Sequence, residues 1–131
     1  MRQWLSKLLG NRGERLAAGY LRKQGYQILF RNYRSRWGEI DLVARDGDCL
    51  VFVEVKTRRT DRAGVPAEAV TPAKQAQLTR LALAFLKRYR RLEQAARFDV
   101  VAITWNDEGS PPLVEHLRDA FPAVGRGQMF S

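Results

Sequence analysis

Glu39-Ile40-Asp41-Leu42-Val43-Ala44 and Leu50-Val51-Phe52-Val53-Glu54-Val55-Lys56 are two strand-like runs joined across Asp46-Gly47, and their pairing decides the fold. An Asp-Gly dipeptide between such runs is a strong tight-hairpin signal. With Asp46 and Gly47 as the central turn residues, Arg45 pairs with Asp48, Asp41 faces Phe52 and Glu39 faces Glu54. Opposed residues share a sheet face. Glu39, Asp41, Phe52, Glu54 and Lys56 are therefore expected on one side, and Ile40, Leu42, Ala44, Val51, Val53 and Val55 on the other.

Outward from the hairpin, the order of elements follows from periodicity. Gly13–Gly25 predicts a helix, with Leu16, Ala17, Tyr20 and Leu21 at three-and-four spacing and a glycine suited to its end. Glu14 sits in its first turn on the stripe of Ala17, Ala18 and Leu21, which should face the protein. Tyr26–Tyr33 reads as a strand, and Thr57–Gly64 as a polar, basic loop. A second helix is capped by Thr71, opens on Pro72 and carries an apolar stripe of Leu78, Leu81, Ala82, Phe85, Tyr89 and Leu92. Arg97–Trp105 is a further strand, Asn106–Pro112 a turn, and Leu113–Phe121 an additional edge strand or helix. The sum is an α/β domain in αβββαβ order, a mixed sheet flanked by helices. Residues 1–131 are expected to form one domain with a core of about 13–121, leaving 1–12 and 122–131 peripheral.

Composition narrows the partners. Hydrophobic residues make up 45% and charged residues 28%, as in a soluble globular domain rather than a disordered or membrane-spanning chain. The longest apolar run, Leu81–Leu86, is far shorter than the roughly 20 residues of a spanning helix. No secretory leader pattern precedes it, so a cytoplasmic location is expected, with no membrane partner. Cys49 is the only cysteine, which excludes an intrachain disulfide and a cysteine metal cluster. A net charge of +9 favours polyanions, since cations that replace counterions on phosphates gain their entropy of release. Charge alone does not choose among DNA, RNA and acidic lipid.

The charged row of the hairpin has its own chemistry. On the predicted register Asp41 and Glu54 are diagonal neighbours about 7–8 Å apart at the backbone, close enough to share one divalent cation. Mg²⁺, or Mn²⁺ in its place, takes oxygen ligands and keeps waters for a substrate phosphate to replace, so two carboxylates suffice. Lys56, on the same face, is placed to orient a water or stabilise charge at a phosphate. Glu14 can join from the first helix as an outer ligand or water-holding group. The alternative is a half-solvated hairpin whose polar face carries these charges and whose Glu54–Lys56 pair is a surface ion pair of little worth. Helices on both sides of the sheet would place part of the row in a cleft.

The run Gly38-Glu39-Ile40-Asp41-Leu42-Val43, a hairpin and then Val53-Glu54-Val55-Lys56 resembles the D…ExK signature of the PD-(D/E)XK nuclease superfamily, especially archaeal Holliday-junction resolvases. More closely, the chain resembles the YraN-like family of small bacterial proteins. That similarity runs from Gly13-Glu14 through Arg31-Asn32-Tyr33-Arg34 and Ala69-Val70-Thr71-Pro72-Ala73-Lys74 to Arg97-Phe98-Asp99-Val100-Val101. The resemblance implies a restriction-endonuclease-like core and DNA, branched or otherwise structured, as the partner. It implies Asp41 and Glu54 as metal ligands with the Val55 carbonyl as a third, Lys56 as the catalytic lysine, and Glu14 as the helix-borne acid. Ile40 stands where the name-giving proline would be, which leaves the carboxylate in place. Resolvases also suggest, by analogy, a homodimer. A module that binds nucleic acid without cutting it is the alternative, because fold kinship supports binding better than cleavage.

Arg34, Arg36, Arg58, Arg59 and Arg62 border the proposed site and are candidates for phosphate contacts. Lys74 joins them, at a helix start where backbone N–H groups also favour an anion. Lys87-Arg88-Tyr89-Arg90-Arg91 reads instead as a solvated basic face. His116, the only histidine, has no partner for a triad or zinc site and is assigned no role. Trp4 and Trp105 are read as packing residues, and Trp37, beside Gly38, as packing or base stacking.

Overall fold

The computed structural model describes residues 2–59, 70–106 and 109–124, with side chains from residue 11 onward. Helix α1 (Arg2–Lys23) leads into strands β1 (Gln27–Ser35), β2 (Gly38–Asp46) and β3 (Cys49–Arg59); α2 (Pro72–Arg88), β4 (Ala96–Trp105) and β5 (Leu113–Phe121) follow. The strands form one sheet in the order β1-β2-β3-β4-β5. Neighbours are antiparallel except β3 and β4, which run parallel and enclose α2 in their crossover. This is a mixed sheet with a helix on each face, consistent with a restriction-endonuclease-like fold.

Alternation along the central strands decides which helix covers which face. Val51, Val53, Val101 and Ile103 pack with Ala17, Ala18 and Leu21 of α1, whereas Leu50, Phe52, Phe98 and Val100 pack with Leu78, Leu81, Phe85 and Leu86 of α2. Both faces of the hairpin are thus buried, which corrects the expected division into one apolar and one charged side. On β2 the alternation breaks beside Asp41: Ile40 joins the α2 cluster, and Leu42 and Ala44 the α1 cluster. Phe85 anchors α2 through edge-to-face contacts to Phe30, Tyr33 and Phe52 at 5.2–5.5 Å.

Several boundaries differ from expectation. The hairpin pairs Asp46 with Cys49, so Gly47 and Asp48 are the central residues. Gly47 has φ +59 while Asp48 stays out of the left-handed region, as in a turn with glycine at its first central position. The slip is two residues, so the paired stretch from Leu42 to Asp46 keeps its predicted faces, whereas Ile40, beyond the break, does not. Helix α1 starts at Arg2, which places residues 2–12 inside it rather than in a peripheral segment. The glycines at 10 and 13 weaken a helix without stopping it. Thr57–Arg59 extend β3 instead of opening a loop, and the C-terminal element is the nine-residue edge strand β5. Thr71 caps α2 as expected, its hydroxyl accepting from the Lys74 N–H at 3.2 Å, but the helix stops before Tyr89 and Leu92 lies beyond it. No helix among the described residues is long and apolar enough to cross a membrane.

Candidate functional site

The regular β2–β3 ladder ends at Leu42 and Val53. One step further, where the strands part, Asp41 turns its carboxylate into the gap and accepts the Val55 N–H at 2.8 Å. A residue's N–H and C=O point to the same side of a strand, so the Val55 carbonyl faces that gap too. The Asp41 carboxyl also hydrogen-bonds Glu54, which is 4% exposed. Burial, and then the shared hydrogen bond and charge of Glu54, push Asp41 up to about 8.

Glu54 belongs to the row facing α2. Its Oε2 lies 3.7 Å from Lys56 Nζ and 3.5 Å from Lys74 Nζ, one ammonium from its own strand and one from the first turn of α2. Glu14 arrives from α1, on the other face. Oxygens of Glu14, Glu39 and Asp41 lie within 4.8 Å of one another. Burial raises Glu14, a hydrogen bond with the Asn32 side chain opposes the rise, and the Glu39 charge adds to it. Asn32 itself sits at φ +53, a left-handed conformation that asparagine tolerates better than most residues.

Two glycines let these elements meet. A Cβ on Gly13 would run into Thr57 Cγ2 of β3, so a side chain there would push the start of the Glu14 turn off the sheet. Gly38 has φ +133, and a Cβ on it would stand 2.6 Å from Gln77 Nε2, which donates to the Trp37 carbonyl at 3.2 Å. Gln77 thereby ties α2 to the strand that carries Glu39 and Asp41.

Four of the expected site residues, Glu14, Asp41, Glu54 and Lys56, therefore meet at one end of the sheet. They meet around the strand gap rather than on one face. Sequence reasoning placed Glu39 in the row without giving it a part, and placed Lys74 at the helix start without seeing it reach Glu54. The basic candidates divide. Arg34 pairs with Glu39 at 3.4 Å and Arg36 lies over the Trp37 ring at 4.8 Å, both at the site's rim. Arg80 of α2 also lies over that ring, at 5.5 Å. Arg58 is engaged with Glu115 at 3.4 Å and Thr104 at 3.2 Å, which ties it to the sheet edge. Arg59 follows at the end of β3, and Arg62 lies outside the described residues.

A donor set made only of carboxylate and carbonyl oxygens, crowded enough to push one acid well above the ordinary carboxylate range, fits a hard divalent cation. The model of the uncharacterised protein family UPF0102 matches residues 13–103, from the glycine that seats α1 to the end of β4. The chain belongs to this family. A UPF0102 protein of Geobacter sulfurreducens is 56% identical over 116 residues, 88% of this chain and 90% of that one. One from Rhodococcus opacus is 54% identical over 113 residues, 86% and 95% of the two chains, and one from Syntrophus aciditrophicus 50% over 118, 89% and 91%. UPF0102 is the YraN family to which the motifs pointed, and its members are nuclease-like in fold.

Proposed function

We propose that this UPF0102 chain is a divalent-metal-dependent endonuclease that hydrolyses phosphodiester bonds in branched or otherwise structured DNA. The observation that carries the reading is the half-buried Asp41 carboxyl, crowded by Glu54, Glu14 and Glu39 and, among the described residues, accepting the backbone N–H of Val55. Carboxylates in such number separate or protonate unless a cation sits among them.

Asp41 and Glu54 would hold Mg²⁺ or Mn²⁺ with the Val55 carbonyl, and Glu14 and Glu39 would hold its waters. Bound there, the cation supplies Lewis-acid activation of a water and charge neutralisation at the phosphate. Lys56 orients the attacking water and balances charge that grows on the phosphate oxygens. Lys74 holds Glu54 from the other side and faces the approaching backbone, with Arg34, Arg36 and Arg59 on flanking phosphates.

The test is incubation of the purified protein with branched, flapped, single-stranded and duplex DNA in Mg²⁺ or Mn²⁺, beside Mn²⁺ titration of wild type and Asp41→Asn. Cleavage and Mn²⁺ binding are expected in wild type and absent in Asp41→Asn and Glu54→Gln; cleavage that survives either change removes the assignment.

One observation favours a second reading, a module that binds nucleic acid without cutting it. Glu54 already holds two ammonium groups, which neutralise part of the cluster without a metal. That reading predicts salt-sensitive binding, unchanged by EDTA, with no product from any substrate.

A further inference from the structure

Two adjoining clefts meet at the Arg59–Trp105 end of the sheet, one of them running along α1 as far as Lys23. One, of about 600 Å³, has Arg12, Arg15 and Lys23 on its rim and Leu16, Pro112 and Val114 on its floor. The other, of about 510 Å³, is bordered by Arg59, Asn106, Gly109, Ser110 and Pro111. They share Arg12, Trp105 and Pro112.

Trp105 stands where the clefts join. The guanidinium of Arg12 lies over its ring at 4.9 Å, and its Nε1 is buried without a hydrogen-bond partner, as is Oδ1 of the adjacent Asn106. An aromatic ring covered by an exposed cation suits a flat ligand with negative charge, whose face can take the cation's place on the ring while its charge meets the cation. Both clefts connect to the candidate site by short covalent paths. Arg12 is two residues before Glu14 in α1, and Arg59 is three beyond Lys56 on β3, about 10 Å along the strand. In the parallel pairing Arg59 is the direct neighbour of Trp105.

From this arrangement we infer that the Arg12–Arg59–Trp105 clefts bind an unpaired nucleic-acid strand next to the bond that the carboxylate cluster would act on. The inference rests on the nuclease reading for what lies beside it. A polymer of phosphates meets the cationic rim, and a base whose face is free stacks on the indole while Arg12 swings from the ring to a phosphate. Paired bases have no free face for that platform, so the clefts select ends, flaps or single strands over closed duplex. Trp37, with Arg36 and Arg80 over its ring, offers a second indole on the other flank of the carboxylates.

The experiment is fluorescence anisotropy in EDTA, with a labelled duplex bearing a single-stranded overhang, the matching blunt duplex and an oligothymidine. Wild type is expected to bind the overhang and oligothymidine about tenfold more tightly than the blunt duplex. Arg12→Glu and Arg59→Glu should each erase most of that preference. Trp105→Phe, which keeps a ring, should retain more of it than Trp105→Leu, with circular dichroism checking that both fold. Arg12 is exposed, so its variant reads binding rather than folding. Asp41→Asn should keep the preference while losing Mn²⁺ binding. No preference in wild type, or equal loss on blunt and overhang DNA in Arg12→Glu, overturns the inference. Failure of Mn²⁺ to bind wild type, with the preference intact, overturns the metal-site reading instead.

Discussion

The two ends of this sheet each draw an aspartate out of water, and the two behave in opposite ways. At the hairpin end, Asp99 is fully buried in β4 and accepts four hydrogen bonds. They come from Tyr26 Oη at 3.1 Å, Arg97 Nε at 3.0 Å, His116 Nε2 at 2.8 Å and the Asp119 N–H at 3.0 Å. Arg97 and Arg118 continue the network to Asp46. Burial pushes Asp99 up, but the bonds from His116, Asp119 and Arg97 outweigh it and hold the carboxyl below its ordinary range. At the other end, burial and acidic neighbours act together, and Asp41 rises to about 8. Loss of water raises both carboxyls, although Asp99 is fully buried and Asp41 only in part. The sign comes from the partners: donors in excess make a structural anchor, and acids in excess make a place that calls for a cation from outside.

Removing Asp99 should therefore break the contrast most severely. Asp99→Ala leaves Arg97 and His116 buried without their carboxylate, and is expected to cost about 3–5 kcal/mol in urea or thermal unfolding. A loss below about 1 kcal/mol would mean that the network is not the anchor described. Gly13→Ala tests the other end through packing alone. The methyl group meets Thr57, so about 1–3 kcal/mol of stability should go, with weaker Mn²⁺ binding although no ligand has changed.

The pH dependence sharpens the comparison, because the two ends run in opposite directions. The folded state holds the Asp41 proton between the ordinary carboxylate range and about pH 8, so stability falls as pH rises through that window. Asp99 is lowered, so its contribution is full above the ordinary carboxylate range and is lost as pH falls below it. In metal-free unfolding titrations, Asp41→Asn should flatten the alkaline limb and gain about 1–2 kcal/mol above about pH 8, since Glu54 shares the proton and stays. A gain that persists unchanged at about pH 4 would point to packing instead. The smallest effect is expected at the rim. Arg34→Ala removes an ion pair whose arginine is 76% exposed, and should shift stability by less than about 1 kcal/mol.

Periodicity made the hairpin, both helices and the β4 strand legible, because alternation and helical spacing are local properties that burial imprints on neighbouring residues. It also gave the shared parity of Glu54 and Lys56 on β3, but the break in β2 beside Asp41 left no local trace, so their common face with Asp41 did not hold. The buried acid in Phe98-Asp99-Val100-Val101 was a signal left unread: an aspartate inside an apolar strand needs partners, and His116 is among them.

What the sequence determined by itself was the order of elements, their apolar faces and the family motif. Tertiary structure alone decided that β2 and β3 part beside Asp41, that α1 and α2 bring Glu14 and Lys74 in from opposite faces, and that Asp99 is ringed by donors where Asp41 is crowded by acids. Those outcomes depend on distances between residues far apart in the chain. Local propensity carries no record of them, and a carboxylate's charge state is set by whichever groups the packed chain brings within a few ångströms.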